Sequence, residues 1–210
     1  MLKLWGRKNS LNVQKIMWFI GELRLEHCRI DLGGAFGGLD TPEFLALNPH
    51  GHIPVLQDNT TTVWESHAIL RYLAAQYGTP TFWSETPSTR AQQDMWIDWE
   101  LATLQPAFMD LFWSFYRTPN SQHNSTQIQR AIKHCAEHYT LLDRVYAPQK
   151  TTLTLSDFSI GSTLFRYFNL DINRPSLPNL EAWYRHLTQK PAYQEHVMID
   201  FTELLGRQNF

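Results

Sequence analysis

The chain has 210 residues and a net charge of −2 at neutral pH, and its 43% hydrophobic side chains suffice for a sizeable core in one or two domains. So small a net charge gives no electrostatic ground for nucleic acid or an anionic membrane surface as partner. No apolar run approaches the roughly 18 residues of a membrane helix, MLKLWGRK lacks the long apolar centre of a signal peptide, and Cys28 and Cys135 make neither a disulfide framework nor a CxxC pair, so the cytoplasm is the expected compartment.

Leu2 to Trp5 alternates as a short strand, after which Val13, Ile16, Met17 and Ile20 recur at helical spacing. Cys28 and Ile30 fall on a second alternating strand, so the opening reads as strand, helix, strand with the two strands parallel. GGAFGG (33–38) follows, then a helical or turn segment over 41–47. An Asp58-Asn59 turn between IPVL and TTTVW predicts an antiparallel hairpin, and Ser66, Ile69, Leu70, Leu73 and Tyr77 stripe the next helix. Residues 79–88, rich in Pro, Ser and Thr, read as a linker between domains 1–78 and 89–210. Beyond it the strands stop. A long helix bent at Pro106 is expected over 92–116, with Phe108, Leu111, Phe112 and Phe115 on one stripe. Ile128, Ala131, Ile132, Cys135, Tyr139 and Leu142 mark another. Thr154 as N-cap, Asp157 three residues on, and Leu153 stapling onto Phe158 open a third, and Pro178 and Pro191 start the last two.

Residues 48–73, NPHGHIPVLQDNTTTVWESHAILRYL, carry the most chemical information. Proline has no N–H and is kept out of strand interiors, so Pro54 in HIPVL predicts an edge position or an unusual peptide bond. The extended residue before it can offer N–H and C=O to an added peptide strand, and the helix start at Glu65-Ser66 offers amides to an anion. Together they suit a small, acidic, peptide-like ligand. With RKNSLNVQKI at the first helix and a tryptophan-rich helical half behind them, NPHGHIPVL and WESHAILRYL resemble the cytosolic glutathione transferases, specifically bacterial members related to the theta and nu classes. The resemblance spans nearly the whole chain. It implies an α/β thioredoxin-like N-terminal domain, an all-α C-terminal domain, a homodimer, and glutathione as cosubstrate with no metal.

Residue by residue, the resemblance implies that Ser10 donates a hydrogen bond to the glutathione sulfur and that Asn12 assists. From position alone Ser10 is equally an N-cap and Asn12 a local turn or cap residue. Ile53 would pair its backbone with the cysteinyl unit, Ser66 would bind the γ-glutamyl carboxylate, and Glu65 would face the ligand's ammonium, with His52 near the peptide. His67 stands where an arginine often follows Glu-Ser, so either glutathione affinity falls as pH rises and the imidazole loses its charge, or another basic residue substitutes. No lysine or histidine lies between residues 31 and 44 to meet the glycyl carboxylate; GGAFGG fills that space, as a shaped loop or simply a flexible one. Trp113 and Tyr116 are the expected electrophile-pocket residues of a helix whose stripe is otherwise core.

The expected reaction is detoxifying conjugation of the glutathione thiolate to a small hydrophobic electrophile. Two alternatives are a glutathione-dependent disulfide or peroxide reductase and a non-catalytic glutathione-binding module. His134-Cys135-Ala136-Glu137-His138 has the spacing of a zinc-protease motif, but it lies on a helix whose apolar stripe runs through Cys135 and Tyr139 and reads as solvated surface.

Overall fold

The computed structural model describes residues 1–148 and 150–208. Four strands form one sheet in the order β2-β1-β3-β4. β1 (Leu2–Trp5) and β2 (His27–Ile30) run parallel, with Leu2 opposite His27 and Trp5 opposite Ile30, joined across by α1 (Leu11–Leu23). β3 (Val55–Asp58) lies antiparallel to β1, with Trp5 opposite Val55, and turns through Asn59 at φ 52° into β4 (Thr61–Trp64). The short α2 (Pro42–Leu45) is capped by Thr41, whose hydroxyl accepts from Phe44 N–H at 3.3 Å, and α3 (Ser66–Tyr77) follows the hairpin. This is the thioredoxin-like arrangement, with an all-helical second half.

Pro54 lies just outside β3, and the Ile53–Pro54 peptide bond is cis. Of the two alternatives the sequence left open, the edge position is not the one used, because β3 is flanked by β1 and β4.

Helix α1 is buried almost all round, from Leu11 through Ile20, because it packs against α3 on one side and against α7 (Leu155–Asn169) and α9 (Pro191–His196) of the helical half on the other. The core therefore runs unbroken through both halves, with Leu4, Ile16, Leu70, Phe158 and Leu187 in one cluster. Trp18 is fully buried against Phe158 and Tyr193, at ring separations of 4.5 and 4.8 Å. Gly161 makes room for it, since a Cβ there would come within 2.9 Å of the indole.

The helical half differs from its sequence pattern in one respect. The expected long helix begins at Pro87, inside the segment read as linker, and is a continuous helical path of α4 (Pro87–Trp99), a wider π segment (Glu100–Leu104), α5 (Gln105–Leu111) and a second π segment (Phe112–Arg117). Pro106 cannot donate to the preceding turn, and the widened segment immediately before it absorbs the missing hydrogen bond. α6 (Ser125–Leu141) is capped by Asn124 and also ends in a π turn. α7 (Leu155–Asn169) opens with the Asp157 carboxylate accepting from the Thr154 N–H at 2.6 Å. α8 (Pro178–Leu187) and α9 (Pro191–His196) both start at proline. No helix among the described residues is long and apolar enough to cross a membrane.

Candidate active site

Two cavities meet at the N-terminus of α1. The larger, about 320 Å³, lies between the loop before β3 and the start of α3, and Asn12, His52, Ile53, Glu65 and Ser66 all line it. The smaller, about 140 Å³, lies between the β1–α1 turn and the helical half and is lined by Ser10, Asn12 and Trp113 among others. Asn12 belongs to both walls.

The local geometry explains why these residues converge. Ile53 stands just before the Val55–Asp58 ladder begins, so its backbone lies outside the pairing to β1 and β4. Asn48 pins the loop by donating to the His52 carbonyl at 2.8 Å and accepting from the His50 N–H at 3.0 Å. Glu65 holds φ at 70°, a conformation that costs a side-chain-bearing residue of order 1 kcal/mol or more, and this turn swings its exposed side chain and the buried Ser66 to the cavity. Ser10 has the extended backbone of an N-cap, yet its hydroxyl makes no capping hydrogen bond, which leaves it available to the smaller cavity. The first amides of α1 present the positive end of a helix at the same place.

His67 is the exception and corrects the sequence reading. It is 3% exposed and turned away from the cavity into a sealed cluster, where Nε2 lies 2.9 Å from Ser159 Oγ, 3.0 Å from Glu100 Oε2 and 3.2 Å from Lys15 Nζ. One step along a helix rotates a side chain by about 100°, so the neighbour of a cavity-facing Ser66 points elsewhere. Lys15 and Glu100 are fully buried and paired at 3.0 Å, and Lys15 also donates to Gln105. Burial pushes His67 below its ordinary value and the Lys15 charge adds to this. Burial likewise lowers Lys15 against the pull of Glu100. Burial works to raise the Glu100 carboxyl, but Lys15 and His67 outweigh it and hold it low. The imidazole sits between Lys15 and Glu100 and faces no cavity, so its titration has no ligand to report on.

Trp113 is 39% exposed on the smaller cavity's wall. Tyr116 is not among the wall residues; it stacks on Phe112 and packs against the tilted ring of Phe201, with ring separations of 5.1 and 5.0 Å. Sequence reasoning missed Asn48 and His50 on the larger cavity, although both sit inside the NPHGHIPVL motif, and it missed Arg7, Arg117 and Arg166 on the smaller. GGAFGG approaches Ile53 and Arg7 through Gly33, with its four glycines at positive φ. His134 and His138 face each other at 3.2 Å on α6, and among the described residues no group of three or more potential ligands gathers around a metal position.

Residues 9–76 match the family described as glutathione S-transferase, N-terminal domain. The chain is 37% identical over 205 residues to glutathione S-transferase GstB of Escherichia coli K12, covering 95% of this chain and 99% of that one. Among solved structures it resembles the theta class glutathione S-transferase of Xanthomonas axonopodis pv. citri with glutathione bound, at 41% identity and a TM-score of 0.89, covering 95% and 98% of the two chains. Ure2p in complex with glutathione shares the fold at a TM-score of 0.81 and 22% identity. The protein belongs to the glutathione S-transferase family.

Proposed function

We propose that this protein binds glutathione in the larger cavity and transfers its thiolate to a small, largely apolar electrophile held in the smaller one. The observation that carries the reading is the shared wall. Asn12 lines both cavities, and the uncapped Ser10 hydroxyl stands beside it at a helix N-terminus. Ser66 and the first amides of α3 receive the γ-glutamyl carboxylate, Glu65 its ammonium, and the Ile53 backbone pairs with the cysteinyl unit. His50 and His52 stand on the same wall as donors for the glycyl carboxylate, in place of the basic residue absent from 31–44. Ser10 donates to the sulfur, with Asn12 beside it.

Magnitudes show how the work divides. A thiol of pKa about 8.5 is only a few per cent ionised at pH 7, and lowering it by roughly two units raises the thiolate fraction about 25-fold. Nucleophilicity falls with pKa at a slope of about 0.4 to 0.5, which takes back a factor of roughly eight and leaves about threefold. Larger acceleration has to come from holding thiolate and electrophile together, so the apolar wall of Met109, Phe112 and Trp113 matters as much as the serine.

The division into 1–78 and 89–210, the cytoplasmic location, the detoxifying role and the homodimer belong to the same proposal. Met95 and Leu101, 56% and 44% exposed on the 87–117 helical path, are apolar surface that a second copy would cover. The deciding experiment is a calorimetric titration with reduced glutathione, oxidised glutathione and S-hexylglutathione, paired with product analysis. Tighter binding of the hexyl derivative and a thioether product support the transfer reaction. A preference for oxidised glutathione, with oxidised glutathione as product, would replace it with disulfide reduction, and binding without turnover would leave a glutathione-binding module.

A further inference from the structure

The sealed cluster and the smaller cavity share one residue. Gln105 opens α5 directly behind the Glu100–Leu104 π segment, lines the smaller cavity and not the larger, and meets the buried Lys15 ammonium with its side-chain oxygen. In an α-helix, residues five apart lie about 140° from one another around the axis. Here the Gln105 N–H donates to the Glu100 carbonyl, and this wider turn brings both side chains round to Lys15. An ammonium only donates, so the end of the Gln105 amide that faces Lys15 is the oxygen, and the NH2 is turned the other way. Among the described residues that nitrogen makes no hydrogen bond, yet it is not one of the buried polar atoms left without a partner, so it stays within reach of a ligand. Asn12 Oδ1, on the same wall, is a buried atom with no hydrogen-bond partner, so the two amides do not meet each other. Lys15 is fully buried and held by Glu100 at 3.0 Å, which fixes the cation against the Gln105 oxygen. A cation at one end of an amide polarises it and strengthens the N–H at the other as a donor. Met109 and Trp113, four and eight residues further on, continue the cavity wall, so Gln105 is the polar head of an apolar column.

We propose that Gln105 is a hydrogen-bond donor to the electrophile, its NH2 meeting the acceptor oxygen on which charge builds as the thiolate attacks, and that Lys15 is the positioning residue that holds the amide in that direction. The inference rests on the reading of the site as a glutathione transferase and deepens it: the electrophile has an apolar body against Met109 and Trp113 and an oxygen acceptor conjugated to its reacting carbon. For an α,β-unsaturated ketone, the sulfur forms a bond to the β-carbon and the π electrons shift to leave an enolate oxygen, which the Gln105 N–H stabilises. The α-carbon then takes up a proton equivalent to the one the thiol lost, and no oxidant or reductant is needed.

The test compares turnover of two electrophiles by the full chain at saturating glutathione: benzylideneacetone, whose carbonyl oxygen gains charge, and hexyl iodide, which has no oxygen acceptor. Gln105→Met keeps the length of the side chain and should lower the ketone-to-iodide ratio of kcat about tenfold, the worth of one hydrogen bond to an oxygen gaining charge. Gln105→Ala, a good helix former, serves if the methionine variant does not fold. Lys15→Met combined with Glu100→Gln removes both buried charges together and should lower the same ratio roughly threefold, because the amide is then free to turn. A merely structural role slows both reactions alike, so an unchanged ratio in both Gln105 variants overturns the proposal. A ratio lost in those variants but kept in the Lys15 and Glu100 double variant removes Lys15 from it. Calorimetric binding of reduced glutathione is the control. If the parent protein binds glutathione and converts both electrophiles while the ratio never moves, the transferase reading stands and only the role of Gln105 falls; if it converts neither, the transfer reaction falls and takes this inference with it.

Discussion

Two polar clusters hang from helix α1 within about two turns of each other, and they have opposite fates. Ser10 and Asn12, at its N-terminus, are half-buried and line open cavities, with the serine hydroxyl not spent on the helix. Lys15, on the same helix, is sealed: Glu100, His67 and Gln105 meet it with hydrogen bonds or charge, and Ser159 bonds in turn to His67 and Glu100. A polar group left available at a cavity can act on a ligand. A polar group matched inside the protein joins the N-terminal half to the 100–104 π segment, α5 and α7. Sequence position alone does not separate these cases; the partners do.

The largest effect should come from the sealed cluster. Glu100→Gln leaves the Lys15 charge buried without its counter-ion, and denaturant unfolding should show a loss of about 3–5 kcal/mol. Pairing it with Lys15→Met should restore most of that, since removing both charges avoids the orphan; a double variant as unstable as the single one would mean that the pair is not what holds the halves together. Next comes the open cluster. Ser10→Ala should raise the pKa of the bound glutathione thiol and lower kcat/KM at pH 7 about threefold, with glutathione affinity changed less than threefold. Thiolate absorbance of bound glutathione that is unchanged in this variant would remove Ser10 from the chemistry. Ser66→Ala should weaken glutathione about tenfold in a calorimetric titration, the worth of one hydrogen bond to a charged group, and leave kcat nearly as it was.

The smallest effect separates the clusters most sharply. The folded-state pKa of His67 lies below its unfolded value, so the folded protein binds fewer protons between the two. Stability should be full above about pH 6.5 and fall as pH drops through that window, by at most about 1.4 kcal/mol per pH unit from this residue. His138 and His196 are also lowered by burial and add to the same slope. His67→Gln should flatten part of it while the pH profile of glutathione affinity keeps its shape. A changed affinity profile would return His67 to the ligand site.

Much of the sheet and the larger cavity was legible because it depends on local rules. Alternation marks β1, the Asp58-Asn59 turn sets the hairpin, Pro54 narrows its place to an edge or an unusual peptide bond, and Asp157 reaches back to Thr154 as its spacing requires. The π segments were not legible, because their hydrophobic spacing differs too little from that of an α-helix and the widening responds to Pro106 and to packing. Nothing in the local sequence around Lys15 and Arg166 marks them as interior; only the approach of Glu100 and Gln105 to one, and of Asn9 and Gln14 to the other, shows it. The direction of His67 was hidden for the same reason, since what turns it inward lies 33 and 92 residues further along the chain. Tyr116 was misplaced because one helical stripe serves both a cavity wall and the aromatic stack behind it.

The wall that Asn12 shares between the two cavities bears on how the catalytic cycle ends. In the proposed reaction each cavity would at first hold a separate molecule, free to leave by itself. Afterwards one molecule spans both and gains from each set of contacts, while losing its translational freedom only once. If the proposed conjugation holds, such a product would cling more tightly than either reactant, its departure would set the pace of turnover, and accumulated product would slow the protein at concentrations where neither reactant saturates it.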